Sequence, residues 1–376
     1  MEKYEIKTVT TATDFAPWMQ QWDALAEKQY WPTPYHQSFW LHSCFQFPDN
    51  HLVLSMIIAA DTLVAGFAFC SHPSSSPALL YPTRIVSLEP RIDGVRPASL
   101  IALISPQHTE LPLQQAIAAG LHATRWTVGF FQYCCSQQSR FTSALRGLAE
   151  QKNWKLIEGH SAPEAYIQLG DDVEEFFASI PTKLRRSLNN AYNSLKLLEV
   201  NEFCELTEKT DSWDEIEAAM ISVYKRSWQS KSDISPFAPH YRQHFLSACK
   251  RLHQEGRFRA FFLTIFDEPI AFDAYFLHAT ELFPVARGYD KKYKHLSSGN
   301  MLIAEAIRHF HAHGIRGMYW GPIRAQDRTA YKQRWSNQEW DVPNLMVIRP
   351  KSLYGAVYHL FHKSKLFQKC WWKFKK

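Results

Sequence analysis

The stretch RFRAFFLTIFDEPIAFDAYFLHATELFPVARGYDKKYKHLSSGNMLIAEAIRHFHAHGIRGMYWGP runs from Arg257 to Pro322, and AYKQRW closes it at Trp335. Three runs rich in aromatic and β-branched residues come first: Phe258–Phe266, Ile270–His278 and Leu282–Gly288. Asp267-Glu268-Pro269 and Ala279-Thr280-Glu281 punctuate them, so the pattern predicts consecutive strands. A polar, lysine-bearing loop, Tyr289–Ser298, follows. Leu302, Ile303, Ala306, Ile307 and Phe310 then recur at helical spacing, and Gly314 stands where a C-cap is expected. Gly317–Trp320 reads as a last short strand. Strands, a small-residue loop opening a helix, and a further strand describe a mixed α/β (α+β) domain.

Ser297, Ser298, Gly299 and Asn300 fall where that helix leaves backbone N–H groups unpaired. Those groups and the helix dipole favour a phosphate or pyrophosphate. Ser and Asn are also ordinary capping residues that require no ligand, and both readings stand.

Asp273 is a carboxylate inside the apolar run Ala-Phe-Asp-Ala-Tyr-Phe, where a lone charge is costly unless it is paired or meets a cleft. It is a candidate general base; the alternative is an edge residue facing water or paired with an arginine such as Arg287. Tyr275 shares its strand face and can orient a substrate or fill the core. Upstream, Lys183, Arg185 and Arg186 crowd one helix start and can bind a phosphate or carboxylate, or form a solvated basic face. Trp228 and Tyr289 can wall an acyl chain or sugar, or be core. His309 and His313 have helical i,i+4 spacing, but no glutamate motif or third ligand accompanies them in sequence, so no metal is expected. No nucleophile elbow, Walker loop or dinucleotide fingerprint occurs.

Outward from this block, the hairpin repeats. Ile58 to Phe69 lies over Thr264 to Tyr275 at a constant offset, with Asp61 on Asp267, Ala65 on Ala271 and Ala68 on Ala274; His72 then falls on His278. Chance similarity of two apolar hairpins is the alternative to duplication. Helices are expected over Phe15–Glu27, Pro112–Ala123, Arg140–Lys152, Trp213–Trp228 and Pro239–His253. Pro181 splits Asp172–Lys196 into two pieces. Strands are expected at Thr127–Tyr133 and Ala165–Leu169. The division that follows is 1–165, 166–350 and a tail, 351–376.

A chain of 376 residues, 46% hydrophobic, is long enough for two domains with cores. No run approaches the roughly 20 apolar residues of a membrane span, and the first residues show no apolar segment of signal-peptide type. Seven cysteines without metal-ligand spacing imply reduced thiols in a cytoplasmic protein. The net charge of +6 belongs to the tail: eight Lys/Arg and no Asp/Glu lie from Arg349 to Lys376. That leaves the body near neutral and argues against a broad nucleic-acid-binding face. Leu353, Val357, Leu360, Phe361, Phe367, Trp371 and Phe374 form an apolar stripe in the tail, with lysines opposite. Such a helix lies on an anionic membrane surface or docks on the protein body.

Arg287-Gly288-Tyr289-Asp290, Leu296 to Leu302, His313-Gly314, Met318–Gly321 and Tyr331-Lys332-x-x-Trp335 resemble the acyl-CoA-binding half of a GNAT-type N-acyltransferase. The branch most similar is the one named for an acetyltransferase involved in cellulose biosynthesis, which is related to the Fem aminoacyltransferases of peptidoglycan synthesis. One departure is a single glycine where the family's loop carries two closely spaced small residues after a Gln or Arg. The resemblance implies two tandem GNAT-like domains, each a mixed, mostly antiparallel sheet flanked by helices, with the site in the second. It implies acyl-CoA as co-substrate at Ser297–Asn300 and a sugar or lipid-linked precursor as acceptor, at an inner-membrane surface reached through the tail. It places Lys332 at the catalytic centre, neutralising a carbonyl oxyanion or a donor phosphate; a lysine snorkelling from an amphipathic helix is the alternative. It matches Lys183, Arg185 and Arg186 to the family's basic helix start. Two rivals follow: an aminoacyl-tRNA-dependent transferase, and a catalytically silent membrane-associated partner of a polysaccharide synthase.

Overall fold

Two hairpins carry the same backbone signature at the same offset. Ala60 (φ 44°) and Asp61 (φ 64°) turn the first, and Phe266 (φ 50°) and Asp267 (φ 60°) turn the second. Two consecutive left-handed residues are what a tight hairpin needs to match strand twist. In the first, Ile57 faces Ala65 and then, across a bulge, Ile58 faces Leu63. In the second, Leu263 faces Ala271 and then, across a bulge, Thr264 faces Pro269. Turn, register and bulge therefore repeat together, which a chance likeness of apolar residues does not require. Phe266 is 66% exposed, so its side chain gains little burial for the strain of a left-handed backbone. Phe266→Asn is expected to raise stability by about 0.5–1 kcal/mol, read as a higher urea midpoint; an unchanged or lower midpoint counts against the turn geometry.

The computed structural model describes residues 3–29, 31–47, 51–73, 84–88, 101–124, 126–131, 139–160, 163–197, 201–210, 212–231, 235–323 and 331–349. They form two compact units. The first begins with β1 (Tyr4–Val9), α1 (Ala12–Phe15), α2 (Met19–Ala26) and α3 (Ser38–Phe45). β2 (His51–Ala59), β3 (Thr62–Pro73), β4 (Arg84–Ser87) and β5 (Ala102–Ile104) follow, then α4 (Leu113–Ala123), β6 (Val128–Phe131), α5 (Ser139–Gln151) and β7 (Lys155–His160). The second holds β8 (Glu164–Gln168), α6 (Val173–Ser179), α7 (Thr182–Lys196), β9 (Asn201–Glu205), α8 (Leu206–Lys209), α9 (Trp213–Arg226) and α10 (Pro239–Gln254). It continues with β10 (Phe258–Ile265), β11 (Glu268–His278), β12 (Glu281–Tyr289), α11 (Ser298–Ala312), β13 (Gly317–Pro322), α12 (Tyr331–Trp335) and β14 (Gln338–Trp340). The last strand, β15 (Pro343–Ile348), belongs to the first unit.

The sheets have matching orders: β1-β2-β3-β4-β6-β15-β7 in one and β9-β10-β11-β12-β13-β8-β14 in the other. The fourth and fifth strands are parallel in each, β4 with β6 and β12 with β13, among otherwise antiparallel neighbours. The sixth position is exchanged. β8, which directly follows the first unit's β7, pairs with β13 and β14 of the second sheet. β15, which follows the second unit's β14, pairs with β6 and β7 of the first.

This exchange corrects the expected end of the second domain at residue 350. Leu345 and Val347 fill the first unit's core, and Met346 and Ile348 pack on Val128. A short apolar run has no feature that says which sheet it completes. The expected tail helix, 351–376, lies outside the described residues. β1, β7 and β9, absent from the sequence reading, are half-exposed or polar-patterned edge strands.

In the second unit, Phe261, Leu263, Ile265, Ala271 and Tyr275 pack with Met301, Ile307 and Phe310 of α11 and with Leu184 and Leu188 of α7. Ala271 and Tyr275 of β11 therefore face α11, while Phe272 faces Phe237 on the other side. No helix among the described residues is long and apolar enough to cross a membrane. Cys44, Cys70, Cys204 and Cys249 are buried.

Candidate functional site

Asp273 and Arg287 are directly opposite each other on β11 and β12. Arg287 Nε donates to Asp273 Oδ1 at 2.8 Å and its Nη2 donates to Oδ2 at 3.0 Å, a two-pronged contact. The Tyr275 hydroxyl also donates to Oδ2, at 3.0 Å. Asp273 is 2% exposed. Burial pushes its carboxyl up from the ordinary value, while the Arg287 guanidinium and the Tyr275 hydroxyl pull it down. Burial also raises the Tyr275 hydroxyl well above its usual range, with the Asp273 carboxylate adding to the rise. The paired alternative to the general-base reading is thus the geometry found. Asp273 anchors Arg287, and Tyr275 closes the pair while its ring packs edge-on to Phe310 at 5.4 Å.

Arg287 reaches beyond the pair. Its Nη1 donates to the Tyr331 hydroxyl at 3.0 Å. Its guanidinium carbon lies 4.8 Å from the Trp320 ring centre and 5.4 Å from that of Tyr331. One arginine therefore ties β12, β13 and α12 together. It does so where the sheet opens: β12 and β13 pair only through Glu281↔Gly317 and Leu282↔Met318, and then part. On its other edge β13 bulges, with Tyr319 facing Tyr166 and Gly321 facing Ala165, so Trp320 is the extra residue. Gly321 has φ 74°, which favours glycine. The Lys332 ammonium lies 3.5 Å from where a Cβ on Gly321 would stand. Lys332 is thus held against β13 just past the point where β13 has left β12.

A second feature lies at the start of α11. Asp290 accepts from Arg226 Nε at 2.7 Å and from the Lys292 backbone N–H at 2.8 Å, which fixes the entry to the loop. The loop ends at Ser297, in left-handed backbone (φ 49°), without a side-chain cap on the helix it opens. A groove of about 310 Å³ lies there, lined by Lys183, Arg186, Ser187, Asn190, Ser194, His295 and Ser297. The α7 residues among them recur every three or four positions, so they share one helix face. Two cations thus meet the positive end of α11 in one groove. The Ser298 hydroxyl is buried beside it and has no hydrogen-bond partner among the described residues.

The geometry sorts the other candidates. Arg185 is exposed, donates to Thr182 and does not line the groove. Asn300 Oδ1 accepts from the Trp335 indole at 3.4 Å, tying α11 to α12. A Cβ on Gly299 would meet nothing within 4 Å. Trp228 opens a short 3-10 turn after α9, and Tyr289 packs on the core; both are half-buried. Sequence reasoning missed His295, which has no distinguishing pattern, and the reach of Arg287 to Trp320 and Tyr331, which are 33 and 44 positions away.

At the positions equivalent to Asp273 and Tyr275, the first unit has Phe67 and Phe69. Both are fully buried core residues, with ring centres 6.3 Å apart. An apolar pair there needs no partner arginine.

Residues 182–333 match the family described as an acetyltransferase (GNAT) domain. They run from α7 to α12, so the second unit carries an acyltransferase domain of GNAT type. Among solved structures, that of FemX is similar in fold, with a TM-score of 0.56 at 9% identity over 90% of this chain and 96% of that one. The C-terminal domain of a putative lysylphosphatidylglycerol synthetase from Agrobacterium fabrum gives 0.52 at 12% identity over 93% of each chain. L-PGS from Bacillus licheniformis gives 0.50 at 11% identity over 92% of this chain and 95% of that one. These likenesses concern the fold, and they span both units. The sequence matches no curated protein.

Proposed function

We propose that the second unit transfers an acyl group from acyl-CoA to an amine or hydroxyl, with the donor's phosphates in the groove at the start of α11. The observation that carries this reading is the meeting of Lys183 and Arg186 with the unpaired N-terminal end of α11 around one groove. The orphaned Ser298 hydroxyl is a further donor beside it. The bound thioester supplies the activated carbonyl. Lys183, Arg186 and the α11 backbone hold the phosphates. The opening between β12 and β13 admits an extended chain between strands whose backbone groups are unpaired. Lys332, beside that opening, is the ammonium placed to stabilise negative charge on the carbonyl oxygen. Arg287, fixed by Asp273, orients Tyr331 and hence the start of α12.

The acceptor is assigned by resemblance: a sugar or lipid-linked precursor in exopolysaccharide or envelope synthesis, reached at an inner-membrane surface. The cellulose-biosynthesis branch is the narrower form of this reading.

A second reading keeps the site and takes its acyl group from an aminoacyl-tRNA. The fold likeness to FemX favours it. A tRNA end offers anionic phosphodiesters to Lys183 and Arg186 in place of the pyrophosphate of CoA.

Calorimetric titration with acetyl-CoA and longer acyl-CoAs separates the two. Saturable binding is expected, and a Lys183→Glu, Arg186→Glu variant is expected to bind at least 100-fold more weakly, since each charge-assisted contact is worth about 1.5–3 kcal/mol. A Ser298→Glu, Gly299→Asp variant is expected to lose binding as well. No binding of any CoA to the folded protein rejects the donor, and charged tRNA is titrated next.

A further inference from the structure

We propose that the C-terminal end of α11 and the β9–α8 edge form a divalent transition-metal site, with His309, His313 and Glu208 as ligands and Zn²⁺ as the best-matched ion. The i,i+4 histidine pair lacks a third ligand in sequence, but the fold supplies one from about a hundred residues earlier. The ring nitrogens of His309 and His313 and the Glu208 carboxylate converge within 4.8 Å of one another.

The two separations from Glu208 suit a cation between the groups better than direct hydrogen bonds. His313 Nε2 is 3.4 Å from Glu208 Oε1, and His309 Nε2 is 3.6 Å from Glu208 Oε2. A charge-assisted hydrogen bond would be about 2.7–2.9 Å. Donors bonded to one tetrahedral zinc at about 2.0–2.1 Å stand about 3.3–3.4 Å apart. The protonation pattern agrees. His313 Nδ1 lies 2.7 Å from the His309 carbonyl oxygen. A carbonyl can only accept, so Nδ1 carries the hydrogen. That leaves Nε2 as the ring atom turned to Glu208, in the position from which an imidazole held through Nδ1–H to a carbonyl ligates a metal.

Glu205 completes the surroundings. Its side chain is 2% exposed, and Oε1 is held by Arg259 Nε at 3.3 Å and by the Thr207 hydroxyl. Its Oε2 lies 2.8 Å from His309 Nε2. With a metal bound, His309 Nε2 sheds its hydrogen and Glu205 becomes the carboxylate beside the fourth coordination position. Two imidazoles and a carboxylate suit zinc or its neighbours better than magnesium or calcium. The ion would clamp the edge strand β9 and α8 to α11, away from the helix's other end where the groove lies.

The test uses the full chain, freed of metal by chelator and dialysed. Titration with Zn²⁺ by calorimetry, and with Co²⁺ by visible absorption, is expected to show one saturable site, with cobalt bands of the intensity of four-coordinate nitrogen and oxygen ligation. Zinc is expected to raise the melting temperature. Glu208→Ala and His313→Ala are both largely exposed changes and are expected to weaken the site at least tenfold. His311→Ala, on the same helix but turned to the Gly170 carbonyl, is expected to leave it unchanged. No saturable binding, or equal binding in the Glu208→Ala, His313→Ala double variant, overturns the proposal. Neither readout depends on acyl transfer.

Discussion

Replacing Arg287 by Met is expected to destabilise the second unit by about 3–5 kcal/mol, because it leaves the Asp273 carboxylate buried without its counter-charge. For a unit of this size that lowers the melting temperature by roughly 10 °C. The loss has a pH signature. Burial already raises the Asp273 carboxyl, and Arg287 is the larger of the two influences that oppose it. Without the arginine the folded-state value rises further above the unfolded one. A group raised in this way contributes its stability below the ordinary carboxylate range and loses it as pH climbs through the raised folded value. The gap in urea midpoint between parent and Arg287→Met is therefore expected to widen from pH 5 to pH 8. Adding Asp273→Asn removes the titrating group and with it the slope. A gap of equal size at both pH values would falsify the account of Asp273 as a charge held by Arg287.

This pair also marks how far residues alone carried the reading. Asp273 stands out in sequence as a charge inside an apolar strand, and Arg287 was named as one partner for it. Their opposition follows from the hairpin register, and a register is legible only once the turn and bulge are placed. The strand–loop–helix order around Ser297 was legible because capping residues, periodicity and Gly314 agree along a continuous stretch. The groove was not. Lys183 and Arg186 are more than a hundred positions from Ser297, and nothing local distinguishes them from Arg185, which faces elsewhere. The metal-ligand cluster failed to show for the same reason: spacing reveals ligands on one helix and misses the one brought in by another element.

The exchanged strands set a different limit. β8 falls on the strand expected at Ala165–Leu169, whereas no strand was expected at β15, and each completes the sheet of the other unit's chain segment. Both sheets offer a like slot between antiparallel neighbours, and both strands are short and mostly buried on both faces. Local pattern assigns a strand; only the summed packing assigns its sheet. The duplication makes the exchange possible, because a repeat duplicates the slot as well as the strand. It also shows where the copies have diverged. The first unit fills with Phe67 and Phe69 the space that the second gives to Asp273 and Tyr275, so the polar anchor for an arginine, and through it for α12, exists in the second unit alone among the described residues.

That anchor bears on Lys332, whose replacement by Met is expected to lower kcat on the order of 10²–10³-fold with little change in KM. The size follows from removing one preorganised donor to a developing oxyanion. The split follows from its timing: an ammonium that meets charge appearing on the carbonyl oxygen acts on the transition state and hardly on the ground state. Two observations favour this over a lysine merely covering apolar surface. Lys332 follows Tyr331, which Arg287 fixes through a hydrogen bond and ring contact. Its ammonium also rests over Gly321, where the bulge and left-handed backbone keep β13 free of a side chain. Gly321→Ala places a methyl 3.5 Å from that nitrogen at a strained position, and is expected to reduce kcat in the same direction while leaving donor affinity near the parent's. Steady-state rates with the donor established by titration decide it. If Lys332→Met raises KM with kcat intact, the lysine binds donor phosphate instead. If both constants stay at parental values while only the melting temperature falls, Lys332 is a packing residue and the oxyanion must be held by another group.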